Sequence, residues 1–197
     1  TANDTTDDTT NDTNNDDTTD TGPEMPAPVR LVLFRTPPTD GNILGAGAPD
    51  SARQVADAYC QNAPHFPADE CTEAHALLSF DDGDSIAAMQ ANFDIPDLPV
   101  ESIGGTLVES DFAGLLDGTL ATSLDDAGVY AGNGEQYWTG ALVDGETAVN
   151  NCAGWTSTNA AGPDAFATAG NAGQANGWTG VVSVSCTNNL RVTCVCW

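Results

Sequence analysis

The sequence predicts an α+β domain cross-linked by disulfides and preceded by an acidic tail. Three observations carry this. Apolar spacing is helical over 51–60 and 85–93, but strand-like over 29–34, 76–80, 181–184 and 190–196. Six cysteines, an even number, lie within the same stretch, four of them from Cys152 onward. Residues 1–24 contain only Thr, Asp, Asn, Ala, Gly, Pro and Glu. Such a segment cannot bury enough surface to offset its ordering entropy. The expected division is therefore a tail over 1–28, flexible or used in assembly, and one domain over 29–197.

Charge narrows the partners. Twenty-nine acidic residues face four arginines and no lysine, for a net −25. The first 24 residues hold eight of the acids, so the remainder still carries −17. Nucleic acid and anionic membranes need a basic footprint, so neither is an expected partner. No apolar run reaches the ~18 residues of a membrane span. No signal peptide opens the chain, which is expected to be a processed form. The lysine-free, Asp-rich composition fits a secreted protein of saline habitats as well as a merely acidic surface. Asn3-Asp4-Thr5 and Asn11-Asp12-Thr13 are N-glycosylation sequons, and the tail threonines are candidate O-glycan sites.

The elements follow in order. Val29–Phe34 is the first core strand. A turn cluster at Pro37–Gly41 and a Gly-rich loop to Asp50 lead to Ser51, which has capping-box spacing to Gln54. Ala52, Val55, Ala56, Tyr59 and Cys60 then share a helical face. Ala76–Phe80 reads as a short strand. Ile86, Met89 and Phe93 mark a second helix with acids at its start. Val100–Val108 reads as extended. Ser110 or Asp111 caps a short helix that ends at Gly118. Trp138 begins a strand, and Asp144-Gly145 signals a hairpin whose return ends at Cys152–Trp155. A long loop covers 159–177. Val181–Val184 resumes a strand, and Leu190–Cys196 alternates as a final half-buried one.

No convincing catalytic constellation emerges. Gly45-Ala46-Gly47 lacks the lysine and spacing of a phosphate cradle. His65 lies in a Pro-rich loop and His75 just before a strand, and neither stands in a nucleophile context. Cys194-Val195-Cys196 does not have the spacing of a zinc knuckle, though zinc remains the rival to disulfides. Six cysteines allow fifteen connectivities. The tryptophans are expected to be core anchors.

Several motifs in order are similar to an endostatin domain. They are Leu31-Val32-Leu33, a helix ending in Cys60, Ala76–Ser79, Phe112–Gly118, Trp138-Thr139-Gly140 and Cys152–Ser157, closed by the step from Cys186 to Cys194. Over 29–197 the resemblance is strongest to a bacterial extracellular family with a W-T-G…D-G…C-x-x-W-T-S…C signature, related to endostatin. It implies a C-type-lectin-like fold: a twisted antiparallel sheet, two main helices, long loops and adjacent termini. It also implies Cys152–Cys186 and Cys60–Cys194 bridges, leaving Cys71 and Cys196 as an extra pair. Endostatin's zinc histidines and arginine patch have no counterpart here, and neither do the calcium-ligating motifs of lectins. No cofactor, metal or catalytic residue is expected. The expected function is non-catalytic binding or adhesion at a cell surface, through loops 119–136 and 159–177, to an unknown surface protein or glycan. Alternatives are a filament or layer subunit whose tail docks on copies of itself, and calcium-dependent glycan binding.

Overall fold

β8, Arg191–Cys196, is the hub of the sheet. In the computed structural model, which describes residues 27–45 and 51–197, β1 (Leu31–Arg35) lies antiparallel along one side of it, with Val32 opposite Cys196 and Arg35 opposite Thr193. The expectations for the tail, including its sequons, fall outside the described residues. Two short strands share the other side of β8. β2 (Ala74–Ala76) pairs antiparallel with its end, and β5 (Gln136–Trp138) pairs parallel with its start. Beyond β1 come β3 (Val100–Ser102), parallel to it, and β4 (Leu107–Glu109). Beyond β5 come β6 (Phe166–Asn171) and β7 (Val182–Ser185), both antiparallel.

The architecture is thus α+β around a mixed eight-stranded sheet, not the antiparallel sheet expected. The parallel pairs join strands far apart in sequence. Such pairs need long crossover connections, which leave no local turn signal. β8 also differs from expectation by being buried on both faces. Val192, Cys194 and Cys196 enter one core cluster, while Val195 enters the other and Thr193 is fully buried. β1 splits the same way, with Val32 and Phe34 on one face and Leu31 and Leu33 on the opposite face.

Helix α1 runs Ala52–Gln61, and the Ser51 side chain accepts the Gln54 N–H. Its buried side is rotated from the apolar stripe, because Arg53, Ala56, Asp57 and Cys60 are buried while Ala52, Val55 and Tyr59 are only half-buried. The second expected helix is reduced to turns and a single-turn α2, Met89–Asn92, although Ile86 and Met89 are buried as its spacing required. Asp94, with φ of 50°, ends it, and Pro96 bars continuation. Val100–Val108 is folded back on itself at Gly104-Gly105, where φ of Gly105 is +80°, instead of running straight. The third predicted helix is a 3₁₀ turn, Gly114–Leu116, whose Gly114 N–H is held by the Asp111 carboxylate at 2.7 Å.

Two segments depart from expectation. Residues 159–177 contain β6, which has only Ala, Gly and Thr between Phe166 and Asn171 and so no strand-like composition. Smallness is what its site demands: a Cβ on Gly170 would overlap the Tyr137 ring and the Trp178 carbonyl. Cys152–Trp155 is no strand end but a left-handed helical turn, α3, with φ of 53°, 54°, 65° and 66° along its four residues. Non-glycine residues disfavour that region by about 1–2 kcal/mol each. Its supports are the Asn151 side chain, which accepts the Gly154 N–H at 2.9 Å, and the Cys152 bridge. Other boundaries shift by a few residues. Trp138 ends β5 rather than beginning it, and β2 lies at 74–76, ahead of the predicted span.

Candidate functional site

All six cysteines are oxidised: Cys60–Cys194, Cys71–Cys196 and Cys152–Cys186, with Cα separations of 5.9, 5.7 and 5.7 Å. These fall in the ordinary range for a bridge. Two bridges tie α1 and the segment before β2 to β8. The third ties α3 to the chain just after β7. They form one wall of a core cluster and offer no thiolate for chemistry.

Three tryptophans are fully buried, and each indole N–H finds a carbonyl. Trp138 donates to Thr39 at 2.9 Å, Trp155 to Ser79 at 3.0 Å and Trp178 to Leu115 at 2.8 Å. They knit loops to strands and present no face to a ligand.

The two histidines part company. His65 is exposed on the loop after α1. His75 sits on β2, only 7% exposed, with its ring stacked between Phe93 and Trp197 at centroid distances of 4.1 and 5.2 Å. Asp57 of α1 lies 2.8 Å from its Nδ1, and the other Asp57 oxygen accepts the Ala76 N–H at 2.9 Å. A carboxylate facing Nδ1 places the proton there, leaving Nε2 an acceptor in the neutral ring. Nε2 is buried without a hydrogen-bond partner, and Glu73 Oε2 is 3.9 Å away. One turn back on α1, Arg53 donates to Asp84 at 2.8 Å and to the carbonyls of Ala76 and Leu78 at 2.5 and 2.7 Å. It also covers the Phe80 ring.

This cluster borders an open cleft of about 590 Å³ lined by Ser51, Gln54, Asp57, Glu73, His75 and Phe93. An Asp–His pair is the orienting half of an acid–base site, and it needs a reacting group at Nε2 to act as one. Its evident work is to clamp α1 onto β2. Nothing in the sequence joined Asp57 to His75. The one available signal was the i,i+4 pair Arg53 and Asp57, whose ion pair is 3.7 Å.

Two exposed apolar side chains stand on a different element. The Asp144-Gly145 hairpin is present, closed by an Ala141–Thr147 bridge and a Leu142 N–H bond to the Glu146 carbonyl at 2.8 Å. Leu142 and Val143 at its tip are 49% and 47% exposed. The hairpin is seated on 177–181. Thr179 Oγ1 donates to the Leu142 carbonyl at 2.7 Å, and a Cβ on Gly180 would lie 2.9 Å from Val143 N. Val181 beyond it is exposed, as are Val149 at 99% on the outgoing limb and Phe166 at 42% on β6. Asp144, Glu146 and Asp164 lie beside these residues in the chain.

The predicted binding loops fare unequally. Residues 158–164 are exposed throughout. The 119–136 segment is mixed: Leu120, Leu124, Val129 and Tyr130 anchor it in the core, Asp125 accepts the Gly134 N–H at 2.6 Å, and Thr119, Ala121, Asp126, Gly128, Ala131 and Asn133 are exposed. Among the described residues no three His, Cys, Asp or Glu side chains converge as metal ligands. No helix among them is long and apolar enough to cross a membrane. In comparisons with known proteins, the chain matches no family model and no curated sequence.

Proposed function

We propose that residues 29–197 are a non-catalytic binding or adhesion module of C-type-lectin-like, endostatin-related architecture, secreted or displayed at a cell surface. Three disulfides support the compartment, since such bonds persist where the surroundings are oxidising. The observation that carries the function is the exposed pair Leu142 and Val143 on a hairpin locked to a cross-linked scaffold, with exposed Val181 on the segment beneath it. Apolar side chains held rigid at the surface cost little entropy on docking, and an apolar centre beside acids is how protein-binding surfaces are built. The partner is therefore a protein surface with an apolar centre.

The test is binding of the full chain to a panel of immobilised extracellular proteins and glycans, alongside the double variant Leu142→Asp, Val143→Asp. The wild type should retain at least one protein, and the variant should lose affinity by about tenfold or more, as for a hot-spot pair. Its thermal midpoint should be unchanged, because both side chains are half-exposed. A variant that binds as well as wild type overturns the assignment of this face.

A second reading, assembly into a filament or layer, is favoured by one feature. Among the described residues β7 pairs only with β6 and ends the sheet, and its Val-Ser-Val-Ser sequence carries neither charge nor proline. Edge strands without such guards accept another strand.

A further inference from the structure

We propose that His75 Nε2 and the Glu73 carboxylate are the protein ligands of a divalent zinc-class or copper-class ion, held where β2 borders the cleft beside α1. The site is separate from the Leu142–Val143 hairpin and from the β7 edge.

His75 Nε2 is an acceptor without a donor. Among the described residues, His75 alone is more than nine-tenths buried and still leaves a side-chain polar atom without a hydrogen bond. In a native fold such an atom points to a bound water or ion. The ring cannot turn to satisfy it. Phe93 and Trp197 stack on it, and Asp57 holds Nδ1 at 2.8 Å while its other oxygen takes the Ala76 N–H. With the faces covered and Nδ1 taken, the Nε2 edge is what remains to meet the cleft, whose lining includes Asp57, Glu73, His75 and Phe93.

Distance then selects the occupant. Glu73 Oε2 lies 3.9 Å from Nε2. That is too long for a hydrogen bond, and a neutral Nε2 facing a carboxylate sets two acceptors against each other. Two ligands of one zinc ion, each at about 2.0–2.2 Å, lie about 3.4 Å apart in a tetrahedral arrangement and about 4.2 Å apart at most. The observed spacing falls between those limits. Nε2 is itself closed off from solvent, so entry depends on Glu73. That side chain is 70% exposed, and all four arginines engage other carboxylates, so it is free to swing aside and close on an ion.

The surroundings suit such an ion. Asp57 behind Nδ1 completes the carboxylate–histidine arrangement that orients a metal-binding imidazole and raises its basicity. Arg53 meets Asp57 and Asp84, and Glu73 adds a third carboxylate, leaving a local charge of −2 for a divalent ion to balance. An imidazole with one carboxylate selects zinc, copper or nickel over magnesium and calcium, which take oxygen ligands. With two protein ligands and an open cleft, water fills the remaining positions.

The test is titration of the chelator-treated, isotope-labelled full chain with zinc chloride, followed by imidazole nitrogen resonances. His65 and His75 are the only histidines, so the signals are few. A saturable shift of His75 Nε2 is expected, with Nδ1 keeping its proton and with magnesium chloride producing no such shift. Glu73→Gln should weaken zinc binding about tenfold or more, at least the loss expected for an outer-sphere partner. Its zinc-free melting temperature should match the wild type, because the side chain is exposed. Zinc should raise the melting temperature of the wild type and raise that of Glu73→Gln less at the same concentration. His65→Ala, which removes the exposed histidine, should bind zinc as the wild type does. Four outcomes overturn the inference: no saturable shift at His75, a shift at His65 alone, an equal response to magnesium, or unchanged zinc affinity in Glu73→Gln. Each is what a water at Nε2, with no metal site, would give.

Discussion

Two tyrosines make the molecule sensitive to alkali. Tyr130 and Tyr137 are buried and stacked with ring centroids 5.1 Å apart. The Tyr130 hydroxyl meets Thr193 Oγ1 at 2.8 Å, and that of Tyr137 donates to the Trp178 carbonyl at 2.7 Å. Burial pushes both phenols above their usual range, with the Thr193 bond only partly opposing it for Tyr130. An unfolded tyrosine ionises near pH 10. Above that the unfolded chain holds fewer protons than the folded one, so stability, fully present below pH 10, falls as pH rises. The melting temperature should be flat through neutral pH and drop beyond about pH 10. Tyr130→Phe should show a shallower drop, after losing about 1 kcal/mol at neutral pH with its hydrogen bond. A wild-type melting curve that does not move up to pH 11, roughly one unit past the phenol range, contradicts this account.

Among the elements, β6 and β7 bear most on assembly. β6 is a strand by position: its small residues let Tyr137 and Trp178 close over it, and pairing with β5 and β7 supplies the rest. β7 has β-prone valines and an exposed Ser183. If its open edge recruits a second copy, sedimentation at rising protein concentration and moderate salt should show oligomers. Ser183→Lys should then return the chain to monomer while changing stability by no more than about 0.5 kcal/mol, as for a surface substitution. Oligomers that persist in that variant, or a wild type monomeric at every concentration, exclude assembly through this edge. The element scale is also where sequence patterns misled most. Helical spacing over 85–93 marked the buried positions correctly, but not the length of the helix. The small residues of 159–177 concealed a strand because strand propensity reports side-chain packing, and here the large partners lie on other elements.

For the whole molecule, the bridges add to the stability supplied by the two core clusters. Cys152–Cys186 closes a 34-residue separation and anchors the left-handed α3 turn. Replacing both cysteines by Ala should cost about 3–4 kcal/mol, read from the urea midpoint. A loss below about 1 kcal/mol would mean that neither loop closure nor the α3 turn depends on the bridge. Gly41 reports on the same corner, for its Cβ would lie 2.5 Å from Cys152 Sγ. The net charge acts at this scale too. It disfavours contacts between identical acidic surfaces, so association between copies should strengthen as salt screens them.

Local chemistry in the chain determined α1 with its Ser51 cap, the first and last strands, the Asp144-Gly145 hairpin and the burial of Trp138, Trp155 and Trp178. Each follows from the period of apolar residues or from the chemistry of a cap or turn within a few positions. Only the tertiary structure decided that the sheet is mixed, that Asp57 meets His75, that Leu120, Leu124, Val129 and Tyr130 anchor 119–136 in the core and that Arg35 lies where β3 has ended. Those outcomes depend on register and on which distant strands become neighbours, and short-range spacing carries no record of either.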